Sequence, residues 1–126
     1  IDAAASKKNA KCKRFLTIAD DIASISWKGE RVWCNPPFSN ITPFVQKASL
    51  FEADVSVLLV PNWTDRKWWA RFVEPFREAK YTAGDNFVRV RFLPGRVKFG
   101  LPDGTFDGCC PFGLCVIIFE KGYNND

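Results

Sequence analysis

The residues best suited to chemistry stand in one run, Arg31-Val32-Trp33-Cys34-Asn35-Pro36-Pro37-Phe38-Ser39, where a short β-prone stretch ends abruptly in Asn-Pro-Pro-Phe. Two consecutive prolines fix φ, remove two N–H donors and bias Asn35 and Pro36 away from the α region, so the chain leaves the strand in a rigid, extended turn. The side-chain oxygen of Asn35 and the carbonyl of Pro36 then form a pair of acceptors suited to an exocyclic amino group, which carries two N–H donors. Phe38 adds a flat apolar face on which a planar base or amide can stack. Hydrogen bonds accepted from an aryl amine keep its lone pair from delocalising fully into the ring. They also hold the nitrogen in line with an electrophilic methyl group, which is catalysis by positioning and electrostatics. No His or Cys nucleophile is required, and the chain has no histidine. The plain alternative is a Pro-Pro loop with Phe38 in the core; the position directly after a strand favours the clamp.

The elements that must position this clamp alternate between strands and helices, as in an α/β sheet with helices on its faces. Ile1 to Ala5 reads as the end of a first strand and its loop, and Lys7 to Phe15 as a short helix of good helix formers. Val32 to Cys34 is the strand that feeds the clamp. Thr42 as N-cap with Pro43 at the first helical position starts a helix through Phe51, with Phe44, Ala48 and Phe51 facing inward. Val55 to Val60 is a near-continuous apolar run of the kind buried on both faces of a parallel sheet, and Pro61 ends it. Thr64 and Asp65 can cap a helix whose stripe of Trp68, Trp69, Phe72, Val73 and Phe76 reads as core, with Pro75 kinking or ending it. Phe87 to Phe92 alternates apolar and basic residues. Pro94-Gly95 is a type II turn signal leading into Arg96 to Phe99, so the pattern predicts an antiparallel hairpin with a basic face. A Gly-rich stretch, Gly100 to Gly113, either closes over a ligand or is a long connection, and Cys115 to Phe119 is the last strand.

Composition narrows the class. At 126 residues the chain fits one compact domain, with specificity left to loops or a partner. No apolar run approaches a membrane span and Ile1-Asp2 is no signal-peptide start, so an intracellular protein is expected. The five cysteines lack Cys-x-x-Cys or histidine partners at workable spacing, so reduced thiols and no metal are expected. A net charge of +4 is modest for a nucleic-acid binder. It is concentrated, however, in Lys7, Lys8, Lys11, Lys13 and Arg14 and again in Arg89, Arg91, Arg96 and Lys98. Two such patches can meet phosphates on either side of a base pocket, or be solvated faces.

The motifs resemble the phage-type DNA N6-adenine methyltransferases, the phage Dam family. The likeness runs in order through Ile1-Asp2-Ala3-Ala4-Ala5-Ser6, Asn9-Ala10-Lys11-Cys12, Asp20-Asp21, Trp27 and Val32 to Ser39. It continues through Val60-Pro61, Thr64-Asp65, Trp68-Trp69 and Gly95-Arg96-Val97-Lys98-Phe99, covering most of the chain. The Gly-x-Gly usual in S-adenosylmethionine loops is absent, and the family normally carries more sequence ahead of the first strand. The resemblance implies a single Rossmann-like domain over residues 1–126, compact or N-terminally truncated, with a mostly parallel sheet and an antiparallel hairpin near the C-terminus. It implies no separate target-recognition domain. Ligands of such sheets sit at the carboxyl ends of the strands, where Asp2 and Asn35 both fall.

The implied activity is transfer of a methyl group from S-adenosylmethionine to adenine N6 in double-stranded DNA, inside a bacterial host if the chain is of phage origin. A paired adenine would have to be flipped out, at an unstacking cost of about a few kcal/mol. Asn35, Pro36, Pro37 and Phe38 are the implied catalytic motif. Asp2, Ala3, Ala4 and Asp21 are the implied cofactor residues, although Asp2 and either of Asp20 and Asp21 serve equally as helix caps. Ser39, Arg89, Arg91, Arg96 and Lys98 are the candidates for DNA, Arg96 being equally open to a structural role. Two rivals stand: a methyltransferase acting on RNA or protein glutamine, and a catalytically silent nucleic-acid-binding module.

Overall fold

A computed structural model describes residues 1, 3, 22, 24–77, 86–95, 98–100, 106–109 and 112–122. Four strands make the main sheet: β1 (Arg31–Cys34), β2 (Val55–Pro61), β3 (Phe87–Phe92) and β6 (Leu114–Glu120), in spatial order β1-β2-β6-β3. The two central strands, β2 and β6, are the two longest apolar runs of the chain, because only the middle of a sheet buries both neighbours of a strand. β1 pairs parallel with β2, Cys34 opposite Leu58, whereas β6 runs antiparallel to β2 and to β3.

The expectation of a mostly parallel sheet is therefore corrected: the described ladders of this sheet are one parallel pair and two antiparallel pairs. The expected hairpin is corrected too. β3 takes β6 as its partner, with Val88 opposite Phe119 and Val90 opposite Ile117, which sets its two valines on the core side against apolar neighbours. The turn signal at Pro94-Gly95 is real, with Gly95 at φ 67°. It carries the chain off the sheet instead of folding it back on β3. β4 (Lys98–Gly100) pairs antiparallel with β5 (Phe106–Cys109) in a separate two-stranded sheet. Part of the presumed Gly100 to Gly113 loop is thus strand.

Beside β1, the Trp33 N–H donates to the Ile1 carbonyl at 2.8 Å and the Ala3 N–H donates to the Trp33 carbonyl at 2.8 Å. This is the spacing of a parallel neighbour, in keeping with a first strand ending near Ala3. The proposed helix at Lys7 to Phe15 lies outside the described residues.

One face of the sheet is closed by α1 (Thr42–Ala48), α2 (Lys67–Phe72) and α3 (Glu74–Arg77). The core there is Val32, Cys34, Leu58, Val60, Cys115, Ile117 and Phe119 from the strands, with Val45, Trp68, Trp69 and Val73 from the helices, all buried. Helix α1 starts one residue earlier than expected, with Ile41 as the N-cap residue and no side-chain cap, and its most buried inward residue is Val45. Thr64 and Asp65 do not cap α2 either; Arg66, with extended backbone, occupies that position. The Trp68-Trp69 stripe is core as expected, and the helix breaks at Val73, two residues before Pro75, whose ring cannot follow a helical carbonyl. Trp69 ties the layers together: its indole N–H donates to Glu74 Oε2 at 2.8 Å and its ring stacks on Phe92 at 6.4 Å. Among the described residues, no helix is long and apolar enough to cross a membrane.

Candidate active site

β1 and β2 run side by side, and the residues that follow them share one edge of the sheet. Asn35-Pro36-Pro37-Phe38 leaves β1 there, Asn62-Trp63 leaves β2, and Phe112-Gly113 enters β6, whose Leu114 lies opposite Pro61. The Asn62 N–H donates to the Gly113 carbonyl at 3.1 Å, locking the last two segments together. The Asn62 side chain packs closely over Gly113, its Nδ2 lying 2.8 Å from where a Cβ would stand.

Within the motif, Pro36 is fully buried and anchors the turn, while Pro37 is exposed. The Pro37 carbonyl accepts from the Asn40 N–H at 2.9 Å, closing a tight turn through Phe38 and the exposed Ser39. Among the described residues the Pro36 carbonyl accepts no backbone hydrogen bond. Asn35 Oδ1 is buried and has no hydrogen-bond partner among them. A buried amide oxygen left unpaired is disfavoured by about 1–3 kcal/mol, so it marks a place where a donor is wanted. Phe38, two residues after Pro36 in the same turn, is half-buried.

Aromatic rings continue outward from it. Phe38 meets Phe112 at 5.7 Å with planes tilted by 58°, and Phe112 meets Trp63 edge-on at 5.0 Å. The guanidinium of Arg66 then lies over the Trp63 ring, 4.3 Å from its centroid. Trp63, Phe112 and Arg66 were not singled out from the sequence. Trp63 and Arg66 meet within one turn, but only the pairing of β6 with β2 brings Phe112 between them and Phe38, and no local pattern carries that information.

Cys34 and Cys115 are buried in the sheet and outside any disulfide, and burial pushes the Cys115 thiol up to about 12, against a lesser opposing influence of Arg77. Such a thiol is inert at neutral pH. Among the described residues no three His, Cys, Asp or Glu side chains are grouped to hold a metal.

The other sequence candidates are dispersed. Ala3 is buried beside Trp33, two residues before Asn35. Arg91 is exposed near the carboxyl end of β3, whereas Arg89 pairs with Glu120 at 2.8 Å, toward the opposite end of the sheet. Lys98 begins β4. Asp2, Ala4, Asp20, Asp21, Arg96 and the basic residues between Lys7 and Arg14 lie outside the described residues.

Comparison with known proteins adds three findings. The family model described as DNA N-6-adenine-methyltransferase (Dam) matches residues 1–110. The DNA N-6-adenine-methyltransferase of Haemophilus phage HP1 (strain HP1c1) is 32% identical over 96 residues, which are 74% of this chain and 54% of that protein. The chain thus spans about half the length of this relative. The structure called "putative RNA methyltransferase" PH1948, from Pyrococcus horikoshii, superposes over 90% of this chain and 52% of its own, with a TM-score of 0.53 and 18% identity. That likeness is one of fold alone.

Proposed function

Because the chain belongs to the DNA N-6-adenine-methyltransferase (Dam) family, we propose that its clamp holds the N6 amino group of an adenine in DNA for methylation. The observation that carries this reading is the buried, unpartnered Oδ1 of Asn35 next to the turn built by Pro36 and Pro37. One amino N–H of the base donates to Asn35 Oδ1 and the other to the Pro36 carbonyl, so both acceptors are satisfied only when the base is in place. These bonds draw the nitrogen lone pair out of conjugation. Because the two acceptors are held by a rigid turn, little reorganisation remains at the moment of reaction. Phe38 stacks on the base face, and Phe112 braces Phe38 from behind.

S-adenosylmethionine, when bound, supplies the electrophilic methyl group. Of the residues the family resemblance assigns to it, namely Asp2, Ala3, Ala4 and Asp21, Ala3 is described. Its methyl side chain and its backbone bond to Trp33 put a small residue on the same edge as Asn35, which fits a ligand packed closely there. The amino group of a paired adenine is engaged, so the base must leave the duplex to reach the clamp.

The test is transfer of label from S-adenosylmethionine to unmethylated duplex DNA, with the product digested to nucleosides. N6-methyl-2′-deoxyadenosine is expected from the native chain. Asn35→Ala is expected to lower turnover by roughly 10²–10³-fold, the usual consequence of removing one preorganised partner of the reacting group. Label appearing in RNA or protein and not in DNA would overturn the acceptor assigned here.

A further inference from the structure

The ring contacts that begin at Phe38 do not stop inside the site. They run through Phe112 and Trp63 to a guanidinium at the surface: Arg66 is exposed, and it lies 4.3 Å from the Trp63 centroid. Stacking on an indole uses the flat face of the guanidinium and leaves its N–H donors free in the plane. A long side chain that would otherwise roam is thereby held at the surface end of this row of rings with its donors available. Its neighbours Asp65 and Lys67, both exposed, carry opposite charges, so Arg66 supplies the net positive charge of this turn. Among the described residues it has no carboxylate partner, whereas Arg77 is paired with Glu74 and Arg89 with Glu120.

We propose that Arg66 contacts a phosphate of the strand that delivers the target adenine, and that Trp63 is the residue that positions it. The proposal rests on DNA being the acceptor. A flipped nucleotide presents three features in sequence, the amino edge, the base face and the adjoining backbone. The site presents Asn35 with Pro36, then Phe38, then Arg66 in the same order. A planar, bidentate donor is the group best matched to phosphate oxygens, and prior immobilisation lowers the entropy lost on contact. Arg89, in the middle of β3 and paired toward the opposite end of the sheet with Glu120, has neither the place nor the free charge.

The experiment titrates labelled duplex DNA with the full chain over a series of salt concentrations and measures methyl transfer in parallel. Arg66→Ala is expected to weaken binding several-fold, equally across duplex sequences, and to reduce the slope of log K against log salt by about one. The KM for DNA rises by a similar factor, while kcat at saturating DNA stays within about two-fold. Arg66→Lys keeps the charge without the planar stack and falls between. Trp63→Phe retains a ring face and stays near the native value. Trp63→Leu approaches Arg66→Ala, and the double variant adds little beyond either. Unchanged affinity and salt slope in an Arg66→Ala protein that still methylates DNA would overturn the phosphate contact. Full additivity of the two substitutions would remove Trp63 from the positioning role. A native chain that transfers no methyl group to DNA would instead overturn the acceptor reading itself, independently of Arg66.

Discussion

Asn35 holds its acceptor in a state that a stability-optimised protein would not retain. Because the unpaired buried oxygen costs the folded chain about 1–3 kcal/mol, Asn35→Ala is expected to melt at the native temperature or above it while losing methyl transfer. A clear fall in melting temperature would mean that Asn35 is a structural residue first. Two carboxylates elsewhere are paired and matter for the opposite reason. Buried Lys47 reaches Glu52 at 2.7 Å, and its hydrogen bond is the main influence holding the Glu52 carboxyl below its ordinary 4.5, against partial desolvation. Glu74 is likewise held below 4.5, first by the Trp69 indole and, after an opposing effect of burial, by Arg77. For a carboxylate lowered on folding, the stabilisation is complete above the ordinary value and disappears as pH falls through the lower, folded value. Acid titration of melting temperature is therefore expected to drop from about pH 4.5 downward. Glu52→Gln and Glu74→Gln should each flatten that drop, and an unaltered acid limb in both would refute the assignment.

At the scale of elements, the join between α1 and β2 depends on a residue in an uncommon conformation. Phe51 has φ 53°, yet it is buried, edge-on to Phe76 at 5.0 Å and to Phe119 at 5.9 Å. The left-handed backbone turns the chain from helix to strand, and the ring secures the turn. Phe51→Ala is expected to cost about 3–5 kcal/mol by denaturant unfolding. Phe51→Gly should cost no more than the alanine variant, reversing the usual order, because glycine alone is at ease at this φ. Single-segment features such as these strands were legible in the sequence: β1, β2 and β6 are apolar runs, and the clamp follows the first of them. What could not be read is who pairs with whom. The alternation in β3 and the Pro94-Gly95 turn fit a local hairpin equally well, and only the distant run at Leu114 to Glu120 offers Val88 and Val90 apolar partners. For the same reason Asn35 and Phe38 were visible as a motif, whereas the link from Phe38 through Phe112 to Trp63 was not, since it depends on β6 lying beside β2.

For the whole molecule, the inert thiols follow from this packing. Cys34 and Cys115 lie in the sheet's buried core, so in native protein at pH 8 neither is expected to take up iodoacetamide, with peptide mass mapping as the check and rapid labelling of Cys115 as the refuting result. The position of β6 has a further consequence. It is the last of the six described strands, yet it lies between β2 and β3 and bonds to both. A ribosome delivering this chain from its amino end therefore exposes two unfinished sheet edges until the stretch from Leu114 to Glu120 emerges. The nascent protein must wait for its own keystone, and a premature stop before Leu114 would leave open edges of the kind that chaperones capture and aggregates recruit.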